Sequence, residues 1–188
     1  MNLPNKLTLL RMALIPVFLV FLYVRDIPHN FLWALLVFVG ASLTDMLDGQ
    51  IARKRGLVTD FGKFMDPLAD KLLVISALVC FIEVLAIPAI LVVLILAREF
   101  AVTALRTLAA DNGVVIAADK WGKIKTVSQM CWISYSLLLL WVGPMQINLP
   151  WEAMYFLYYA GLAIVLVATV ASGTNYLVKN RQLFLNSK

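Results

Sequence analysis

Six long apolar segments follow one another along the 188-residue chain, separated by short polar connections. A helix needs about 20 mostly apolar residues to cross a bilayer. Backbone polar groups in lipid must be satisfied within the spanning segment, which favours helices. The pattern predicts an all-α polytopic membrane protein whose six transmembrane helices lie near residues 7–24, 31–52, 64–86, 88–110, 126–143 and 152–178.

The composition excludes an ordinary soluble domain. Hydrophobic residues make up 62% of the chain and charged residues 14%, against about 45–50% and about 25% in soluble domains. So few polar side chains do not cover a water-exposed surface. We expect a single integral membrane domain over residues 1–188, which opens with a short interfacial segment, NLPNKLTLLR, at residues 2–11.

Basic residues are distributed asymmetrically about the predicted spans. With six spans both termini lie on one side, which receives Lys6, Arg11 and the basic residues within 53–63, 106–125 and 179–188. The opposite side carries only Arg25. Lysine and arginine collect on the cytoplasmic face, so we expect both termini in the cytoplasm and the protein in the inner membrane.

The net charge of +5 indicates the kind of partner. A basic membrane protein suits contact with anionic lipid headgroups and with phosphorylated substrates. Nucleic acid is a poor partner, because the basic residues are spread among the spans and form no single soluble face.

An acidic pair with two small residues lies at the end of the second apolar segment. At about 100° per residue, one helix face carries Asp45, Asp48, Gly49 and Ala52. Arg53 follows one turn after Gly49, at the edge of that face. The small residues leave open space beside the two carboxylates.

A second acidic pair opens the third apolar segment. One face of that helix carries Gly62, Asp66 and Asp70. The connection between the two helices is short and contains Gly56, which suits a turn. Sequential helices joined by a short connection pack antiparallel. The two acidic faces are therefore expected to meet at one end of the helix pair.

Four facing carboxylates need positive charge or protons, since one acid within a span already costs about 2.5–3.5 kcal/mol. Two divalent cations balance four carboxylates. Oxygen ligands without Cys or His select hard ions such as Mg²⁺ or Mn²⁺, and two such ions stabilise the attacking and leaving oxygens of a phosphoryl displacement. The residues therefore favour a two-metal phosphoryl-transfer site, with a cation-coupled transporter as the alternative.

The spacing of these residues resembles the signature of the CDP-alcohol phosphotransferases: Asp45-x2-Asp48-Gly49-x2-Ala52-Arg53-x8-Gly62-x3-Asp66-x3-Asp70. Every fixed position is present, and the six-span plan extends the resemblance to the whole chain. The resemblance implies a homodimeric six-helix membrane enzyme with a two-metal site facing the cytoplasm. In that family an alcohol attacks the lipid-side phosphorus of a CDP-linked lipid, and CMP leaves.

The resemblance also implies roles for the matched residues. Asp45, Asp48 and Asp66 are expected as metal ligands. Asp70 is expected as the general base and as a further metal contact. The CDP-lipid and its CMP portion are expected to lie against Gly49, Ala52, Arg53 and Gly62.

Three further segments, NLPNKLTLLR, AREF…ALR and WGKIKT, resemble the bacterial branch of the family that forms phosphatidylglycerophosphate. This implies CDP-diacylglycerol and sn-glycerol 3-phosphate as substrates. The acceptor's phosphate needs cationic donors, and the candidates are Arg98, Arg106, Lys123 and Lys125. Arg98 and Arg106 are eight residues apart and share a helix face.

Other interpretations of these residues stay open at this point. The four bases also fit positive-inside anchoring, and Glu99 or an acid on another helix is an alternative partner for Arg98. Another acceptor, such as inositol phosphate or serine, is possible within the same chemistry. Serine carries no phosphate and needs no group of cationic donors.

Overall fold

The computed structural model describes residues 3–55, 60–111, 119–179 and 181, and their side chains at 8–44, 71–110, 119–179 and 181. Within these ranges the chain is all-helical, without strands. The helices are α1 (Leu3–Tyr23), α2 (Asn30–Arg55), α3 (Asp60–Val84), α4 (Ala89–Asp111), α5 (Lys120–Val142) and α6 (Trp151–Lys179), with a 3₁₀ turn at Gly143–Met145.

Each predicted span overlaps one observed helix, which confirms the all-α prediction for the described chain. The largest difference is at α5, which begins at Lys120, whereas the apolar pattern begins at 126. Polar residues continue the helix beyond its apolar part, because helical hydrogen bonding does not require apolar side chains.

Proline and left-handed residues separate three pairs of consecutive helices. A proline lies at or next to the residue before each following helix: Pro28, Pro88 and Pro150. Each connection also holds one non-glycine residue with a positive φ: His29 at 55°, Ala86 at 53° and Gln146 at 53°. A left-handed residue does not fit a continuous right-handed helix, and a proline disfavours one, so the chain turns at these points.

Two of the described helical segments are long and apolar enough to cross a membrane, Lys120–Met145 and Trp151–Lys179. The apolar parts of α1 and α2 within the described side chains are shorter, at Thr8–Tyr23 and Asn30–Thr44. On α6, large apolar side chains such as Phe156 and Val167 are exposed. An exposed apolar helix face suits contact with lipid.

The chain divides into two compact units, of which the first comprises Met1–Cys80 and Ile133–Pro150. In it α1 packs against α2, and the buried rings of Phe18 and Phe38 lie 6.1 Å apart between centroids. Trp141 Nε1 donates a hydrogen bond to His29 Nδ1 at 3.2 Å. This bond joins the end of α5 to the residue that precedes α2.

The second unit comprises Phe81–Trp132 and Trp151–Lys188, and in it α4 packs against α6. Trp132 is buried in this unit and donates from Nε1 to the Tyr158 carbonyl oxygen at 3.0 Å. A Cβ atom on Gly161 would lie only 2.9 Å from Trp132 Cδ1. Glycine at this position therefore allows α6 to approach the indole ring closely.

Candidate functional site

The predicted metal and nucleotide residues fall on two continuous helices. Asp45, Asp48, Gly49, Ala52 and Arg53 belong to α2, and Gly62, Asp66 and Asp70 belong to α3. The i, i+3 and i, i+4 spacings used above are therefore spacings along helices. The side chains of these eight residues lie outside the described part of the chain, so their roles stay predictions.

Elsewhere, no group of three or more His, Cys, Asp or Glu side chains with the geometry of a metal site occurs among the described residues. The aspartate set on α2 and α3 stays the predicted site for divalent cations. It offers oxygen ligands only, as Mg²⁺ and Mn²⁺ prefer.

A cluster of three charged side chains, Arg98, Glu99 and Lys125, joins α4 to α5 in the second unit. Arg98 Nη1 donates to Glu99 Oε1 at 3.0 Å, and Lys125 Nζ donates to the same oxygen. The side chains of Arg98 and Glu99 are 11% and 16% exposed, and that of Lys125 only 2%. Two cations and one carboxylate leave this cationic cluster with a formal charge of +1. Charged groups in a membrane protein pair in this way because the apolar surroundings do not solvate them.

Two glycines make room for Arg98. A Cβ on Gly173 of α6 would lie 3.1 Å from Arg98 Cγ, closer than an ordinary carbon–carbon contact. A Cβ on Gly122 of α5 would lie 3.7 Å from Arg98 Nη2 and 3.8 Å from Tyr176 Cε2, both ordinary contacts. The absence of a side chain at Gly173 therefore gives the arginine stem its space, whereas an alanine at Gly122 would fit beside the guanidinium.

Two buried donors, one on α4 and one on α5, have no hydrogen-bond partner among the described residues. They are Arg98 Nε and Gln129 Nε2. Gln129 is 2% exposed and lies one helical turn after Lys125 on α5. A buried donor without an acceptor costs about 1–3 kcal/mol. Each atom can donate a hydrogen bond to an acceptor oxygen.

The structure groups the four predicted phosphate-binding bases differently from their spacing in the sequence. It brings Arg98 and Lys125 together on Glu99. Arg106 and Lys123 are exposed. Eight residues of helix separate Arg98 from Arg106 by about 12 Å along the axis, and two residues turn Lys123 away from Lys125 by about 200°. The alternative that Glu99 pairs with Arg98 is confirmed.

The sequence indicated Glu99 only as a partner of Arg98, and the contact between Glu99 and Lys125 was not predicted. An acid and a base next to each other inside an apolar segment are the signal for such a pair, because isolated charges are costly there. Their sequence positions give no indication that a third charged group from another helix joins them.

A second polar network, also missed, holds the start of α5 against α6. Asn175 Nδ2 donates to Asp119 Oδ2, and Lys179 Nζ lies 3.7 Å from Asp119 Oδ1. The Asp119 backbone nitrogen donates to the Tyr176 hydroxyl oxygen at 3.4 Å. Asp119 Oδ1 also accepts from the Lys120 backbone nitrogen at 2.9 Å, at the first residue of α5. This network positions the helix that carries Lys125.

Comparison with known proteins agrees with the motif. The family model of the CDP-alcohol phosphatidyltransferases matches residues 1–172. Three relatives carry the name CDP-diacylglycerol–glycerol-3-phosphate 3-phosphatidyltransferase. The chain is 45% identical to the protein of Bacillus subtilis over 95% of both chains. It is 39% identical to that of Rickettsia bellii over 97% of both chains. It is 41% identical to that of Haemophilus influenzae over 69% of this chain and 71% of the relative. The chain therefore belongs to the CDP-alcohol phosphatidyltransferase family.

Proposed function

We propose that this protein transfers the phosphatidyl group of CDP-diacylglycerol to sn-glycerol 3-phosphate, which gives phosphatidylglycerophosphate and CMP. The observation that carries the choice of acceptor is the cationic cluster, where Arg98 and Lys125 share one carboxylate oxygen beside unpartnered donors. Such a group suits an acceptor that carries a phosphate. Relatives that match nearly the full length of the chain are named for this reaction.

The donor lipid is assigned to the motif on α2 and α3. Asp45, Asp48, Asp66 and Asp70 would hold two Mg²⁺ or Mn²⁺ ions, as the oxygen-only donor set supports. When bound, these ions would neutralise the diphosphate and the charge that develops on CMP.

Smaller residues of the motif are assigned to the nucleotide. Gly49, Ala52 and Gly62 would leave room for the CMP portion, and Arg53 would pair with its phosphate. An arginine suits this role because its planar guanidinium donates two parallel hydrogen bonds to one phosphate group.

The reaction is a single in-line displacement. The 1-hydroxyl oxygen of the acceptor forms a bond to the lipid-side phosphorus, and the bond from that phosphorus to the bridging diphosphate oxygen breaks. CMP leaves with the bridging oxygen and the electron pair. Asp70 accepts the proton of the attacking hydroxyl, which makes the oxygen a stronger nucleophile as the new bond forms.

The acceptor's phosphate is assigned to Arg98 and Lys125, with the Gln129 amide as a further donor. Arg106 and Lys123 are exposed and are proposed as outer contacts that attract the anion. Serine carries no phosphate for Arg98 and Lys125 to bind, which disfavours it as the acceptor. Inositol phosphate carries the same kind of phosphate and is the competing acceptor.

The placement in the membrane is part of the same proposal. Residues 1–188 form one enzyme domain whose six helices cross the inner membrane, with both termini and the reaction centre in the cytoplasm. The concentration of basic residues on one side supports this orientation. The exposed apolar face of α6 supports contact with lipid. A homodimer is proposed from the family resemblance.

CMP release by the purified protein tests the proposal. CDP-diacylglycerol is supplied with glycerol 3-phosphate, inositol phosphate or serine, each with Mg²⁺ and with excess chelator. We expect release with glycerol 3-phosphate, loss of release on chelation, and recovery with Mg²⁺ or Mn²⁺. Activity with serine but not with glycerol 3-phosphate would contradict the acceptor assignment. Cation flux through sealed vesicles without CMP release would favour a transporter.

A further inference from the structure

Glu99 occupies a position in the cationic cluster that resembles that of a bound anion. Its Oε1 atom accepts from Arg98 Nη1 at 3.0 Å and from Lys125 Nζ. One oxygen between a guanidinium and an ammonium group is also how a protein commonly holds a phosphate oxygen. The carboxylate therefore satisfies the same donors that the acceptor's phosphate would require.

The Glu99 carboxylate does not use every buried hydrogen-bond donor on Arg98 and on α5. Arg98 Nε and Gln129 Nε2 are buried without a partner among the described residues. A phosphate offers more acceptor oxygens than a carboxylate and carries up to two negative charges. A phosphate in place of Glu99 would therefore offer Arg98 Nε a further acceptor oxygen and bring more negative charge to the two cations.

We propose that Glu99 is a specificity-determining residue. It occupies the acceptor-phosphate position until a dianionic phosphate displaces it. This inference rests on the proposed function, because it assigns the phosphate site to Arg98 and Lys125. Glu99 is attached to the same helix as Arg98, so it competes at a high effective concentration. A monoanionic ligand offers no more charge than the carboxylate does, whereas a dianion gains about twice the Coulomb attraction.

The carboxylate has a second effect, which is to hold both cations in place before the acceptor arrives. Lys125 is almost completely buried, and a buried ammonium group is costly without an anion. Glu99 therefore makes the empty site stable and selective, at the expense of affinity for the acceptor. Removal of the Glu99 carboxylate is therefore expected to destabilise the empty site and to increase the affinity for the acceptor.

The test compares Glu99→Gln with Glu152→Gln, which alters an exposed carboxylate in the first turn of α6. The full-length protein is assayed in mixed micelles for the KM of glycerol 3-phosphate and of CDP-diacylglycerol. We expect Glu99→Gln to lower the KM of glycerol 3-phosphate about three- to tenfold, because the tethered competitor is gone. The KM of CDP-diacylglycerol should not change, and Glu152→Gln should change neither constant.

Thermal unfolding with and without glycerol 3-phosphate supplies a second measurement. We expect Glu99→Gln to lower the melting temperature of the unliganded protein and to enlarge the increase that glycerol 3-phosphate produces. A purely structural ion pair would lower the melting temperature but leave that increase unchanged. An unchanged or higher KM for glycerol 3-phosphate would overturn the inference.

Glu99→Asp serves if the glutamine variant does not fold. It keeps the negative charge but withdraws the carboxylate by one methylene group, so the KM of glycerol 3-phosphate should fall by a smaller factor. A KM that is unchanged or higher again overturns the inference. The proposed function and the role of Glu99 fail on different results. Absence of CMP release by the unaltered protein refutes the proposed function. If the unaltered protein is active but the Glu99 variants do not lower the KM of glycerol 3-phosphate, only the role of Glu99 is refuted.

Discussion

Replacement of Gly173 by alanine tests whether the position of Arg98 controls binding of the acceptor. The added Cβ would lie 3.1 Å from Arg98 Cγ, whereas carbon atoms in contact prefer about 3.5–4.0 Å. The arginine stem must therefore move by at least about 0.4 Å, although Glu99 holds its guanidinium. A hydrogen bond to a charged group contributes about 1.5–3 kcal/mol, so partial weakening of the contact between Arg98 and the phosphate should raise the KM of glycerol 3-phosphate about three- to tenfold.

Gly122→Ala is the matched control for this change. Its Cβ would lie 3.7 Å from Arg98 Nη2, an ordinary contact. Both variants share the gain of about 1 kcal/mol that alanine has over glycine in a helix, so the difference between them reports the contact with Arg98. The assay is CMP release at varied glycerol 3-phosphate with saturating CDP-diacylglycerol. Equal KM values for the two variants would refute the reasoning.

Three further changes test other parts of the site and of the fold. Asp70→Asn should abolish CMP release while the thermal unfolding profile is retained, and substantial release would exclude Asp70 as the base. Lys125→Met should raise the KM of glycerol 3-phosphate at least about tenfold, because it removes a buried cation. Lys123 is exposed, so Lys123→Met should raise this KM by a smaller factor. A larger increase for Lys123→Met than for Lys125→Met would place the phosphate elsewhere. Gly161→Ala should destabilise the protein by about 1–3 kcal/mol, because its Cβ would lie 2.9 Å from Trp132 Cδ1; an unchanged melting temperature would show that the ring moves aside without cost.

The cationic cluster also bears on how the acceptor is chosen. Arg98, Glu99 and Lys125 together carry a formal charge of +1, and the buried Nε of Arg98 has no acceptor among the described residues. A neutral acceptor would gain nothing from this arrangement. The discrimination against such acceptors should therefore appear in KM, because binding and not the displacement step involves these groups.

The helices of this protein could be predicted from its sequence with little error. Apolar segments of spanning length leave few alternatives to helices, because lipid does not satisfy exposed backbone groups. The connections also contain prolines, and Pro88 and Pro150 stand directly before α4 and α6. The additional turns at the start of α5 were missed because they are polar and carry no apolar signal.

The acidic motif was likewise a prediction from spacing, because residues three and four apart on one helix share a face in any fold. The contacts of the basic residues could not be predicted in this way. Glu99 and Lys125 lie 26 residues apart on different helices, so no local spacing indicates that they meet. Only the packing of α4, α5 and α6 decided that Lys125 is buried against Glu99 and that Arg98 passes the bare backbone of Gly173. The physical reason is that helix rotation and close approach depend on contacts between distant segments, which a single sequence does not record.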